Sequence, residues 1–341
     1  MGATTAISWC DASFNPWIGC TKVSPACDGC YAEHLMDARF SRARWGGPGK
    51  GVGTRSRTST SNWKEPLRWN RRAVVAGTRP FVFGGSLMDV FDNQVDEAWR
   101  MEYFNLIAAT PQLVWLLLTK RPQNIAYMAE EAGGLPPNVA LGTTAEDQQR
   151  WDVNIPELLA AKAETRPLFA FASCEPLIGA IHPRAAPVTS AMRRQPHCTT
   201  HEFFDPLHPR QDPRFKLDWI ITGGETDQGK HRARPTHPKW FRDIRDACEE
   251  TGTAYHHKQN GEWAIASEEN GHRDMDMSTN DAIWLHADGV ETKPSWMRED
   301  VPNEKSLEPT GMFRMGAQRS GRLLDGVLHD ARPTVEELET A

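Results

Sequence analysis

Cys20, Cys27 and Cys30 fall within eleven residues, in a run that begins Asn15-Pro16-Trp17-Ile18-Gly19 and turns at Ser24-Pro25 and Asp28-Gly29. Thiolates spaced in this way are soft ligands for a metal. Two kinds of centre are open. A structural zinc takes four ligands, and Cys10, His34 and Cys174 are candidates for the fourth. A [4Fe–4S] cluster is held by cysteine thiolates, and three of them leave one iron free. That iron can bind the amino and carboxylate groups of S-adenosylmethionine. An electron from the cluster then cleaves the sulfonium and yields a 5′-deoxyadenosyl radical, while the protein positions the cofactor and excludes water.

Other polar groups fall where such a site would need them. Short apolar runs start at Pro80, Leu113, Asn138, Pro167, Leu217 and Thr253, and a first strand is expected near Phe14 to Ile18. The runs are near-continuously apolar, as strands buried on both faces of a parallel sheet should be. Amphipathic stretches lie between them: Val95 to Ala109, Ala145 to Ala163 with Thr144 as its expected N-cap, and His237 to Thr251 ending at Gly252. The pattern predicts an α/β fold, a partial or full (β/α) barrel or a doubly wound sheet. In such folds the C-terminal ends of the strands carry the active face. Those ends hold Gly84-Gly85-Ser86 and Asp89, Thr119-Lys120-Arg121, Thr143-Thr144 and Glu146, Ser173-Cys174-Glu175, Thr222-Gly223-Gly224-Glu225, and Lys258-Gln259.

The barrel domain is expected over residues 1–265, with insertions at about 39–79 and 183–216, followed by a small β-rich extension over 266–341. Residues 183–216 read as a long surface loop or lid. Residues 39–79 carry eleven Lys or Arg against the single acid Glu65, with Trp45, Trp63 and Trp69 interleaved. That stretch is either a solvated loop or a phosphate-tracking surface with rings for base stacking, with Arg55, Arg57, Arg71 and Arg72 as its candidate contacts. Alternating runs at Ala282 to Leu285, Met312 to Met315 and Leu323 to Leu328 predict a small β-meander, and the acidic tail from Pro333 is expected to fray.

The chain has 341 residues, enough for a large core, and a net charge of -6, so the molecule as a whole does not read as a nucleic-acid binder. Seven cysteines, an odd number with three clustered, suit a reducing cytoplasm better than a disulfide framework. No apolar run is long enough to span a membrane, and the start lacks the pattern of a secretory signal.

The stretch from Asn15 to Glu33 resembles the signature of a phage- and prophage-associated three-Cys-motif family, which in turn resembles radical S-adenosylmethionine (radical SAM) enzymes. Further segments carry the resemblance: Pro66-Leu67-Arg68-Trp69, Ser86-Leu87-Met88-Asp89-Val90-Phe91, Leu118-Thr119-Lys120-Arg121-Pro122, Ser173-Cys174-Glu175-Pro176-Leu177, Asp218 to Glu225, Ala233-Arg234-Pro235, Lys258 to Trp263 and Gly321 to Gly326. It implies a barrel of radical-SAM type in which Cys20, Cys27 and Cys30 hold the cluster. Tyr31 would lie near the adenine, and Gly84-Gly85-Ser86 near the methionine amino group. Asp89 would belong to the same cofactor site. Thr119, Lys120, Thr143 and Ser173 become candidates for the methionine carboxylate and the ribose hydroxyls, and Glu175, Glu225 and Lys258 for catalytic work on cofactor or substrate. The superfamily's usual spacing is three residues then two; here it is six then two. The expected function is radical modification or repair of a nucleotide or nucleic acid in the cytoplasm, fed by an external electron donor. The alternatives are a zinc-bearing, non-catalytic nucleic-acid-binding protein and a radical enzyme acting on a small metabolite or a peptide.

Overall fold

The computed structural model describes residues 5–195, 201–208, 210, 212–265, 282–292 and 309–335. Seven strands form one parallel sheet, hydrogen-bonded in sequence order and curled into a half-barrel. They are β1 (Ala12–Phe14), β2 (Phe81–Gly84), β3 (Val114–Thr119), β4 (Val139–Thr144), β5 (Ala170–Cys174), β6 (Trp219–Gly223) and β7 (Ala254–Gln259). Each long helix crosses from one strand to the next: α1 (Glu65–Ala76), α2 (Glu97–Ala108), α3 (Ile125–Glu131), α4 (Gln148–Thr165) and α5 (Pro238–Thr251).

Side chains alternate across a strand, and this alternation divides the interior in two. Trp115 and Leu117 of β3 face the helices with Tyr103, Phe104, Trp151 and Leu158. Val114 and Leu116 face the concave side with Phe81, Phe83, Phe169, Phe171 and Trp219. Trp9 crosses this concave core, with its ring centroid 4.6 Å from that of Phe83 and 6.4 Å from that of Trp219.

Local signals account for most helix ends. Gly252 takes the left-handed conformation, φ 70°, and closes α5 as expected. The N-cap of α4 is Asp147, which accepts from the Arg150 N–H at 2.8 Å; the expected cap, Thr144, is the last residue of β4. Helix α1 lies within the basic stretch read as an insertion. Pro66, Trp69 and Ala73 form its buried side, and Arg68, Arg71 and Arg72 are exposed. The described part of 183–216, read as a long surface loop or lid, packs on the outside of α4, where Met192, Leu207 and Phe215 are buried.

The small sheet is real in outline. Its strands β8 (Trp263–Ala264), β9 (Ala282–Leu285), β10 (Glu291–Thr292) and β11 (Thr310–Arg314) are ordered β8-β11-β9-β10. Leu323 to Leu328 is no strand but a tight turn closed by a Leu324–Val327 bridge. The chain then returns to the barrel. Asp330 bridges to His256 on β7, and the Arg332 guanidinium donates to the Ser8 carbonyl at 3.0 Å and to Asp11 at 3.1 Å. Ser8 Oγ lies 2.8 Å from His256 Nε2. This segment therefore ties together the two free edges of the open sheet, and Val335, within the tail expected to fray, is buried in the concave core. The rest of that tail, 336–341, lies outside the described residues.

Burial pulls the pKa of His256 and of His257 down to about 4 from an ordinary 6.5. The unfolded chain therefore takes up these protons first as pH falls. Their contribution to stability is complete above the unfolded value and declines between 6.5 and about 4. The chemical-denaturation midpoint should fall between roughly pH 7 and roughly pH 5; a flat profile would contradict neutral burial.

Candidate functional site

At the C-terminal ends of the strands lies a cavity of about 580 Å³. The alternation seen in the core decides which strand-end residues reach it. Ser13, Phe83, Leu118, Thr144, Ser173 and Lys258 share the parity of the concave-facing residues, and all line the cavity. Lys120, Ser86, Glu175 and Glu225 join them from the following loops, and Ala26, Gly29, Cys30 and Tyr31 from the cysteine loop. Tyr31 is 49% exposed, so its ring is open to a ligand.

Four expected cofactor contacts face elsewhere. Thr119 and Thr143 have the opposite parity and are fully enclosed; the Thr143 hydroxyl donates to the Thr119 carbonyl at 2.9 Å. Gly84 points at the helix layer, where a Cβ would meet the Tyr103 hydroxyl at 2.2 Å. Asp89 is buried and fully engaged. Its Oδ1 accepts from the Thr119 hydroxyl at 2.7 Å and the Phe91 N–H at 3.0 Å. Its Oδ2 accepts from the Lys120 N–H at 3.1 Å and from the Arg121 guanidinium at 2.8 Å. Gly85 is not part of the cavity lining either.

The cysteine loop is held by side chains to which the sequence assigned no such role. Arg121 donates to the Thr21 carbonyl at 2.8 Å and approaches Cys20 Sγ at 3.6 Å. Arg150 donates to the Val23 carbonyl at 3.2 Å and Arg234 to the Pro25 carbonyl at 3.0 Å. The buried Glu146 carboxylate accepts from the Ala26 N–H at 3.1 Å. Asn15, wholly buried, accepts from the Leu87 N–H at 2.7 Å and donates to Ser86 Oγ at 2.9 Å. Gly29 is required by contact, since a Cβ there would lie 2.7 Å from the His231 ring and 2.8 Å from Glu225 Oε1.

Charges around the loop are balanced in pairs. Glu225 is grasped by Arg234, with contacts at 2.6 and 2.9 Å, and lies 3.2 Å from His231. Burial would raise its pKa, but these donors hold it below the usual range. Lys258 forms an ion pair with Glu175 inside the cavity. Lys120 donates to the Thr144 hydroxyl at 3.1 Å. Burial opposes its charge, yet Cys27, Glu146, Cys30 and Asp89 outweigh it and hold the ammonium above its ordinary pKa. Burial pushes the Cys20 thiol up to about 12 and raises that of Cys30.

The three thiols are half-buried and unpaired in any disulfide. Among the described residues no three His, Cys, Asp or Glu side chains are grouped as metal ligands. Cys20 leans to Arg121, and Cys27 Sγ lies 3.8 Å from Ser24 Oγ. Of the other candidates for a fourth ligand, Cys10 belongs to the concave core and Cys174 to the core beneath the helices. His34 packs on Gly229.

Of the four candidate phosphate contacts in the basic stretch, two are paired with carboxylates and two stand exposed. Arg55 is buried in an ion pair with Asp92 and also donates to the Val52 carbonyl at 2.7 Å and to Thr21 Oγ1 at 2.8 Å. Arg57 pairs with Glu102 and lies over the Trp63 ring. Trp45 and Trp69 are buried, so their faces are closed to bases. Arg71 and Arg72 stand exposed on α1.

Residues 4–333 match a family described as protein of unknown function, DUF5131. The chain belongs to this family. No curated protein and no solved structure matches it. For this DUF5131 member, then, the side chains themselves must carry the functional argument. Among the described residues no helix is long and apolar enough to cross a membrane.

Asp89 is the clearest test of the site's construction. Asp89→Ala leaves the buried Arg121 guanidinium without its carboxylate, which should cost about 3–5 kcal/mol in urea denaturation. A loss below about 1 kcal/mol, the value of an exposed pair, would contradict the hub role.

Proposed function

We propose that this protein is a radical-SAM-type iron–sulfur enzyme built on a half-barrel. The observation that carries the reading is the continuity of the cysteine loop with the cavity. Cys30 and Tyr31 form part of the wall of a 580 Å³ space whose other walls are the strand ends. That volume lies within the range of small-molecule cofactor sites, roughly 300–1,000 Å³.

The donor set fits a cluster in kind: three soft thiols, no fourth cysteine beside them among the described residues, and the cations Lys120 and Arg121 to offset thiolate charge. Cys20, Cys27 and Cys30 would hold it. Burial raises the Cys20 and Cys30 thiols, so taking up a metal there would release protons. When bound, the cluster and S-adenosylmethionine supply one-electron cleavage of the sulfonium and abstraction of a hydrogen atom from a substrate.

The chain's own residues bind and orient. An amino-acid carboxylate finds the ammonium groups of Lys120 and Lys258, and an amino group finds Glu175 and the Ser86 hydroxyl. Ser173 and Thr144 offer hydroxyls to a ribose, and Tyr31 an open ring face to an adenine. Trp9, Phe83 and Leu118 form an apolar floor that keeps water from beneath the ligand. The zinc-bearing nucleic-acid-binding alternative is weakened, because Arg55 is spent on a buried ion pair with Asp92.

Anaerobically purified protein should be brown, with broad absorption near ~400 nm that Cys27→Ala removes. With reductant and S-adenosylmethionine it should release 5′-deoxyadenosine, and Lys258→Ala should lower that rate by about tenfold or more. A colourless protein with one tightly bound zinc, or an intact cluster that yields no 5′-deoxyadenosine, would defeat the proposal.

A further inference from the structure

Three cavities border the cysteine loop among the described residues, and their charges differ. The cofactor cavity balances Lys120 and Lys258 against Glu175 and Glu225. A second, about 530 Å³, has Asp28, Glu33 and Asp37 against Lys50 and Lys230, with two histidines. The third, about 520 Å³, lies across Thr21 and Val23 and has Lys120, Arg121 and Arg150 against Glu157 alone. Arg121 is already paired with Asp89, which leaves Lys120 and Arg150 against Glu157 in its lining.

Its uncharged lining is also distinctive. Asn93, Gln94, Gln123, Asn124 and Asn154 place five carboxamides around the cations, the last of them buried and donating to the Thr144 carbonyl. Asn93, Gln94 and Gln123 are exposed, and Arg150 makes one bond, to the Val23 carbonyl, leaving further N–H groups open. Arginine and carboxamide N–H groups together suit the oxygens of a phosphate ester, and carboxamides also read base edges. Lys120 is common to this cavity and the cofactor cavity, so a ligand here would sit beside the proposed reaction centre.

We infer that this cavity binds the phosphate ester of the substrate, with Arg150 as its main open cation. The role as substrate site rests on the radical-enzyme reading; the binding itself needs no cluster. This places the phosphate contact on Arg150, whereas Arg55 and Arg57 are paired with Asp92 and Glu102.

Calorimetric titration of the full chain with inorganic phosphate, adenosine 5′-monophosphate and a short single-stranded oligodeoxynucleotide tests it. Saturable binding that weakens with added salt is expected. Arg150→Glu and, separately, Gln123→Glu should each weaken it by about tenfold or more. Gln123→Glu leaves the Val23 contact intact, so a loosened loop cannot mimic the effect. Cys27→Ala should leave binding unchanged, which separates this outcome from failure of the cluster proposal. Tight binding of the mononucleotide points to a free nucleotide as the source, and binding of the oligonucleotide alone points to nucleic acid; either supports the phosphate site. No binding of any of the three, or binding indifferent to both substitutions, overturns it.

Discussion

The buried ion pair between Asp89 and Arg121 is the constraint on which the rest of the site depends. Asp89 gathers the loop after β2 and the end of β3 with four hydrogen bonds, and the same carboxylate fixes the Arg121 guanidinium. Arg121 in turn fixes Thr21 and the first cysteine. Removing one partner from such a pair leaves an uncompensated charge out of water, so both members must stay in place. A second arm, from Arg234 and Glu225, holds the other end of the loop at Pro25 and Gly29. A loop with little regular structure is thus held at the mouth of the half-barrel by charged side chains from several strand ends.

The half-barrel explains why the mouth is roomy. An open sheet leaves two free edges, and among the described residues the gap between β1 and β7 is tied by Ser8, His256, Asp330 and Arg332. The concave side is then filled by aromatics below and left empty above, where Lys120, Ser173 and Lys258 meet the cysteine loop. Apolar floor and polar rim come from the same strands, one or two residues apart.

Much of this was legible in the sequence, for physical reasons. Six of the seven strands were visible as apolar runs because each is buried on both faces. The barrel-type order followed from alternating strand and helix signals. Period-two parity could also have sorted the strand ends: Leu118 faces the concave core, so Thr119 must face away, and the same holds for Gly84 beside Phe83. Helix α1 had its signal in Pro66, Trp69 and Ala73, spaced three and four apart, but its charge masked the apolar stripe. The pairing of Arg55 with Asp92 and of Asp89 with Arg121 could not be read, since a sequence states that charges exist and not which of them meet. Family membership adds no function, so the step from cavity to chemistry rests on the thiols and their setting.

That step is tested most directly by electron paramagnetic resonance of the reduced, anaerobically reconstituted protein before and after addition of S-adenosylmethionine. The account predicts an iron–sulfur signal that is absent in Cys30→Ala and changes shape when S-adenosylmethionine binds the open iron. A cluster signal that S-adenosylmethionine leaves unaltered, or a protein that takes up zinc and no iron, would contradict it.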